Sequence, residues 1–169
     1  MAAGVVLDTS FLITLADAGR QRHSIAHCYW KHFVEQQFPV FLSTIVVSEF
    51  CIRQEIPPEI LQSCVVLPFN WDDAISAAKL NFSRMDREDR SRDALKDDVK
   101  IIAQAIVKDA AWVITDDTNT FYKFAHQLTT TGKATFRPIK LEDGFNLLFF
   151  NPSGQLNIDF DPAPDEDQP

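Results

Sequence analysis

Short apolar runs of three or four residues alternate along this 169-residue chain with amphipathic segments of helical period. That alternation predicts an α/β fold in three layers, a mostly parallel central sheet with helices on both faces. A 46% hydrophobic composition supplies enough apolar side chain for the core of one ordinary domain, and no internal repeat interrupts the pattern.

The elements follow in order. Val5-Val6-Leu7 is a buried first strand, and Asp8-Thr9-Ser10 opens a helix that Thr9 or Ser10 caps, which leaves Asp8 at the strand's carboxyl end. A long helix from about Arg22 to Gln37 gathers Ile25, Cys28, Tyr29, Trp30, Phe33 and Val34 on its apolar face. After Pro39, Val40-Phe41-Leu42 is a second strand, and Ser43 or Thr44 caps a helix reaching about Arg53 and carrying Glu49. Pro57-Pro58 breaks the pattern, Cys64 to Leu67 is a third strand, and Asp72 starts a helix to about Phe82. Residues 83–96 are dense in charges of both signs, an exposed loop or a helix projecting into solvent.

Asp97 to Lys108 is helical with Val99, Ile102, Ala103 and Ile106 on its buried side, and it leads into the strand Trp112-Val113-Ile114. Thr115-Asp116-Asp117 ends that strand. A helix from about Asn119 to Leu128, a strand from Phe136 to Ile139 and a short helix from Glu142 to Phe149 complete residues 1–150 as one domain. Residues 151–169 form an extension with a strand pattern at Leu156 to Phe160 and an acidic, proline-rich tail expected to be disordered.

The apolar run at the start lacks a basic leader and is interrupted by Asp8, unlike a signal peptide, and no run approaches the roughly 20 apolar residues of a membrane span. A soluble, cytoplasmic protein with no membrane partner is expected. Cys28, Cys51 and Cys64 are odd in number and widely spaced, so they suggest buried thiols and no disulfide framework or zinc ribbon. The formal net charge of −8 runs against a nucleic-acid partner, but Asp159, Asp161, Asp165, Glu166 and Asp167 sit in the last eleven residues with no basic residue among them.

Open parallel sheets bind ligands outside the carboxyl ends of their strands, and Asp8 and Asp117 both fall there. Glu49 lies among Val46, Val47 and Phe50, and Asp98 opens a helix apolar on one side, so each can be aimed inward. Three or four crowded carboxylates repel one another and drive one another to protonate unless a cation neutralises them. Ligands that offer only oxygen select hard cations, Mg²⁺ or Mn²⁺, which activate water and stabilise the oxygens of an in-line phosphodiester displacement.

With these pieces the sequence resembles the PIN-domain family, including the VapC-type toxins of bacterial and archaeal toxin–antitoxin pairs. The matching segments are Val5 to Ser10 with Asp8, Ser43 to Phe50 with Glu49, Lys96 to Ala105 with Asp98, and Ile114 to Asp117, in family order over about Val5 to Ile139. The resemblance implies a PIN-like fold, Mg²⁺/Mn²⁺-dependent endoribonuclease activity on an RNA substrate, an antitoxin protein as partner, and a homodimer. It also implies that Thr9 or Ser10 positions a metal-bound water or the phosphate, and that Thr115 does the same beside the fourth acid. Family spacing nominates Asp98 over Asp97 and Asp117 over Asp116, with the other member of each doublet as a flanking acid.

Other readings stand beside these. Asp8 and one member of each doublet could be helix-start acids. His23 and His27, four apart, have metal-ligand spacing but no third ligand nearby, so a solvated face is expected. Tyr29, Trp30 and Phe33 suit a core or a dimer interface better than base stacking. Arg84, Arg87, Arg90, Arg92 and Lys96 alternate with acids and are either a self-neutralised helix or an RNA contact. The functional alternatives are a non-catalytic PIN-like RNA- or protein-binding module and a Mg²⁺-dependent phosphatase. The phosphatase needs a second Asp where this chain has Ser10.

Overall fold

Five strands, β1 (Val5–Leu7), β2 (Val40–Ser43), β3 (Cys64–Leu67), β4 (Trp112–Thr115) and β5 (Arg137–Lys140), pair side by side in a computed structural model that describes residues 4–80 and 92–150. They form one sheet in the order β3-β2-β1-β4-β5, and every pairing is parallel. The helices are α1 (Thr9–Ala16), α2 (His23–Glu35), α3 (Thr44–Phe50), α4 (Pro58–Gln62), α5 (Trp71–Lys79), α6 (Arg92–Val107) and α7 (Phe121–Thr130).

Burial follows strand position. Successive side chains on a strand point to opposite faces, and Val5, Val6 and Leu7 on β1 are all fully buried, as are Val113, Ile114 and Thr115 on β4. Both faces of the sheet centre are therefore covered, as a parallel sheet requires. At the edges β3 exposes Val65 and Val66, and β5 accommodates Pro138 because its outer side needs no ladder donor. The helices contribute Phe11, Leu12, Tyr29, Phe33, Ile101, Ile102, Phe121 and Phe124 to one core, each such side chain stabilising by about 1.5–3 kcal/mol on burial.

The strand order fixes where a site can form. From β1 the chain steps outward to β2 and β3, then crosses back to lay β4 and β5 on the other side of β1. Connections therefore leave the ends of β1 and β4 in opposite directions and open a crevice between them, the switch point of an open α/β sheet. Leu7 pairs with Ile114, so the two strands finish level and the residues after them meet.

Several local expectations are corrected. The N-cap of α1 is Asp8 and not Thr9 or Ser10. Cys28, Cys51 and Val34 are exposed, so of the three thiols only Cys64 is partly buried, its pKa pushed up to about 12 by burial. Pro58 opens the short α4, where a proline at the first helical turn costs no hydrogen bond. The helix after it starts at Trp71, behind a capping box formed by Asn70 and Asp73.

The expected helix from Glu142 to Phe149 is two 3₁₀ turns, Leu141–Asp143 and Leu147–Phe149, separated at Gly144 with φ 78°, a left-handed conformation that favours glycine. Tertiary contacts hold these turns. The buried Tyr29 hydroxyl donates to the Gly144 carbonyl at 2.8 Å, and Trp112 Nε1 donates to the Phe149 carbonyl at 3.0 Å. The charged stretch from residue 83 as far as 91, and everything expected of residues 151–169, lie outside the described residues. No helix among the described residues is long and apolar enough to cross a membrane.

Candidate active site

Asp8 emerges from β1 only 4% exposed and caps α1, and three donors converge on its Oδ2. Ser10 Oγ donates at 2.6 Å, Thr115 Oγ1 at 2.7 Å and the Ser10 amide at 3.3 Å. With both hydroxyl protons on the carboxylate, the oxygens of Ser10 and Thr115 are left to accept. Ser10 Oγ accepts the amides of Asp116 (2.9 Å) and Asp117 (3.0 Å), and Thr115 Oγ1 accepts the Asp117 amide at 2.9 Å. Ser10 thus ties the end of β1 to the end of β4, and the hydroxyl expected to position water or phosphate is engaged in orienting Asp8.

Glu49 comes from α3, whose cap Ser43 accepts the Ile45 amide at 3.0 Å. Its Oε2 accepts the Thr9 hydroxyl, so the two helices that start beside the switch point are joined through this acid. Burial pushes the Glu49 pKa up; Thr9 opposes the rise, while the charges of Asp8 and Asp97 add to it. Burial also raises Asp8, against the pull of its hydroxyl and amide donors. For Asp8 the opposing influences are hydrogen bonds alone, with no cationic side chain among them.

A cleft of about 720 Å³ opens over these residues, and its lining includes Asp8, Thr9, Ser10, Glu49, Asp98 and Asp117. Asp98 rides on α6 with its Oδ2 shielded from solvent. Asp117 Oδ1 accepts the amides of Asn119 (2.9 Å) and Thr120 (2.8 Å), which turns the chain towards α7. The other member of each doublet is engaged by a cation. Asp97 pairs with Lys100 at 2.7 Å, and Asp116 accepts Thr14 Oγ1 at 2.7 Å and Arg22 Nη1 at 3.0 Å; neither lines the cleft.

The four acids nominated by spacing, Asp8, Glu49, Asp98 and Asp117, thus all line one cleft. Among the described residues no three acidic, histidine or cysteine side chains stand close enough together to enclose an ion as they lie. His23 binds the Thr14 carbonyl through Nδ1 at 3.1 Å and His27 is exposed, away from the cleft. Tyr29 and Phe33 are core residues.

Sequence reasoning missed the rest of the lining, which includes Ile13, Asp17, Arg20, Ile52, Arg53 and Gln54. Arg53 lies just past the end of α3, where no helical spacing relates it to Glu49. Also missed was the Arg22–Asp116 pair, which joins residues 94 apart and carries no sequence pattern.

An acid-lined cleft at the switch point of a five-stranded parallel sheet is the architecture the chain presents. No protein-family model matches the chain, and no curated protein sequence does. Solved structures do. VapC20 of Mycobacterium tuberculosis, a Sarcin-Ricin loop cleaving toxin, superposes with a TM-score of 0.52 at 21% identity over 80% of this chain and 100% of that one. FitAB bound to an IR36 DNA fragment gives 0.57 at 18% identity, covering 81% and 94%. VapBC2 from Rickettsia felis, bound to a fragment of its promoter DNA, gives 0.52 at 12% identity, covering 79% and 97%. The chain shares the PIN-like fold of these structures.

Proposed function

We propose that the protein is an endoribonuclease that uses Mg²⁺ or Mn²⁺ to hydrolyse RNA phosphodiester bonds, acting as the toxin of a toxin–antitoxin pair. One observation carries this reading: Asp8, Glu49, Asp98 and Asp117, drawn from four separate segments, line a single cleft at the switch point. Unrelated surface acids have no reason to converge there, and placing Asp8, buried, with the half-buried Glu49 is unfavourable for the metal-free protein.

The donor set fits a hard divalent cation by its chemistry. It is all oxygen, it is anionic, and burial raises Asp8 and Glu49 as expected for acids short of a counter-charge. Asp8, Glu49, Asp98 and Asp117 would hold the ion, which when bound supplies activation of water and stabilisation of the phosphodiester oxygens. The chain's own part is orientation. Ser10 and Thr115 fix Asp8 through Oδ2, Thr9 fixes Glu49, and the Ser10 oxygen holds the Asp117 backbone. The VapBC and FitAB likenesses support a protein antitoxin as partner, and a homodimer belongs to the same reading.

The test is cleavage of a labelled single-stranded RNA with Mn²⁺ or Mg²⁺ and with EDTA, alongside thermal melting. Cleavage that requires the metal, with a melting temperature that rises on adding it, is the expected result. Cleavage indifferent to EDTA together with unchanged melting would sink it.

A further inference from the structure

The cleft also carries positive charge. Beside the carboxylates of Asp8, Asp17, Glu49, Asp98 and Asp117, its lining includes Arg20 and Arg53, both exposed. Arg20 reaches Asp17 only at 3.9 Å with both side chains largely in solvent, so that pair holds it weakly. Among the described residues no carboxylate lies within ion-pair distance of Arg53, although Glu49, Asp98 and Asp117 line the same cleft. An arginine that lines a nuclease-type cleft with no acidic partner among the described residues is placed to take an anion from outside the chain.

We propose that Arg53, with Arg20 beside it, binds the RNA backbone, each guanidinium taking a phosphate that flanks the bond to be cut. The inference rests on the ribonuclease reading and adds which residues hold the strand. A guanidinium presents a planar fork of N–H donors that matches two phosphate oxygens, which a hydrated ammonium does not. The two arginines line the same cleft as the acids. A strand held by them would lay the adjacent phosphodiester over the carboxylates, and the overall negative charge would not prevent binding. Their role is substrate binding, so it falls on KM and on the salt dependence of affinity and leaves turnover alone.

The experiment compares wild type with Arg20→Gln, Arg53→Gln and the double variant, using a fluorescein-labelled single-stranded oligoribonucleotide. Anisotropy with Ca²⁺ present gives Kd across a salt series, and cleavage with Mn²⁺ gives kcat and KM. Expected is a loss of about tenfold in affinity per arginine, with kcat little changed and melting unaltered. The slope of log K against log salt becomes shallower by about 0.7 for each phosphate contact removed. Lys108→Gln, an exposed cation that does not line the cleft, is the control and leaves the slope alone. Unchanged Kd and slope in the double variant of a wild type that cleaves overturns the arginine assignment and leaves the nuclease intact, as does an equal change in the Lys108 control. A fall in kcat at constant KM also overturns it. Binding that weakens as expected in a protein that cuts nothing with Mn²⁺ supports the arginine assignment and removes the nuclease. A wild type that neither binds nor cuts RNA overturns both.

Discussion

Asp8 and Glu49 face the same cleft from unlike surroundings. Asp8 stands at a strand end, 4% exposed, with two hydroxyls and an amide fixed on one oxygen, and its donors are themselves held by the backbone of Asp116 and Asp117. Glu49 stands in the last turn of a helix, half-buried, held by the hydroxyl of Thr9. A strand end in a parallel sheet is flanked by a neighbouring strand and a helix start, both rich in groups that can donate. A helix side chain reaches such a group only if another element carries one to it. The difference divides the site into a rigid corner and a wall of longer, less restrained side chains, and each half can be perturbed on its own.

The largest effect is expected from deleting charge on either side. Asp8→Asn and Glu49→Gln should each lower RNA cleavage at least about a hundredfold while the protein stays folded, checked by initial rates and circular dichroism. Near-normal turnover in one variant would remove that residue from the site and leave the other half standing.

Hydroxyl deletions separate the halves more finely. Ser10→Ala strips a donor from Asp8 and an acceptor from two backbone amides, so denaturant unfolding should show a loss of about 1–3 kcal/mol together with reduced cleavage. Thr9→Val removes one part-buried bond to Glu49 and should cost less stability while still lowering cleavage. Equal destabilisation by the two would erase the contrast between corner and wall.

The doublets test whether lining the cleft is what matters. Asp117→Asn can still cap Asn119 and Thr120, so it should fold normally and lose activity, whereas Asp116→Asn should mainly lose the Arg22 ion pair, up to about 1 kcal/mol in melting experiments. Asp98→Asn should likewise damage cleavage more than Asp97→Asn, whose partner Lys100 faces solvent in part.

The smallest effect is on metal-free stability. Because burial raises the folded pKa of Asp8 and Glu49, each contributes stability in full below its ordinary value of 3.8 or 4.5 and loses it as pH rises through the folded value. In EDTA above neutrality, Asp8→Asn and Glu49→Gln should therefore melt higher than wild type, with the gap closing as pH falls towards those values. A gap that widens on acidification would reverse the assigned sign.

The sequence alone carried the layer order and the acid inventory, because both follow from local pattern. Apolar triplets such as Val5-Val6-Leu7 and Trp112-Val113-Ile114 are strand-like whatever surrounds them, and the four acids were named from their place after strands or among apolar helix neighbours. What needed the tertiary structure was everything that depends on which ends meet. The pairing of Leu7 with Ile114 brings Ser10 to Thr115, 105 residues away, and changes that serine from a presumed cap into the hub of the Asp8 corner. Helix contacts decided that Asp98 and Asp117 face the cleft while Asp97 and Asp116 pair with Lys100 and Arg22. The 3₁₀ turns after β5 replaced a helix because the Tyr29 hydroxyl and the Trp112 indole capture their carbonyls, and the basic lining of Arg20 and Arg53 exists only once α1 and α3 pack together. Periodicity records what a residue buries and capping records where an element starts. Which distant side chain completes a hydrogen bond or faces a cleft is set by the sheet order, and no local stretch of sequence encodes that.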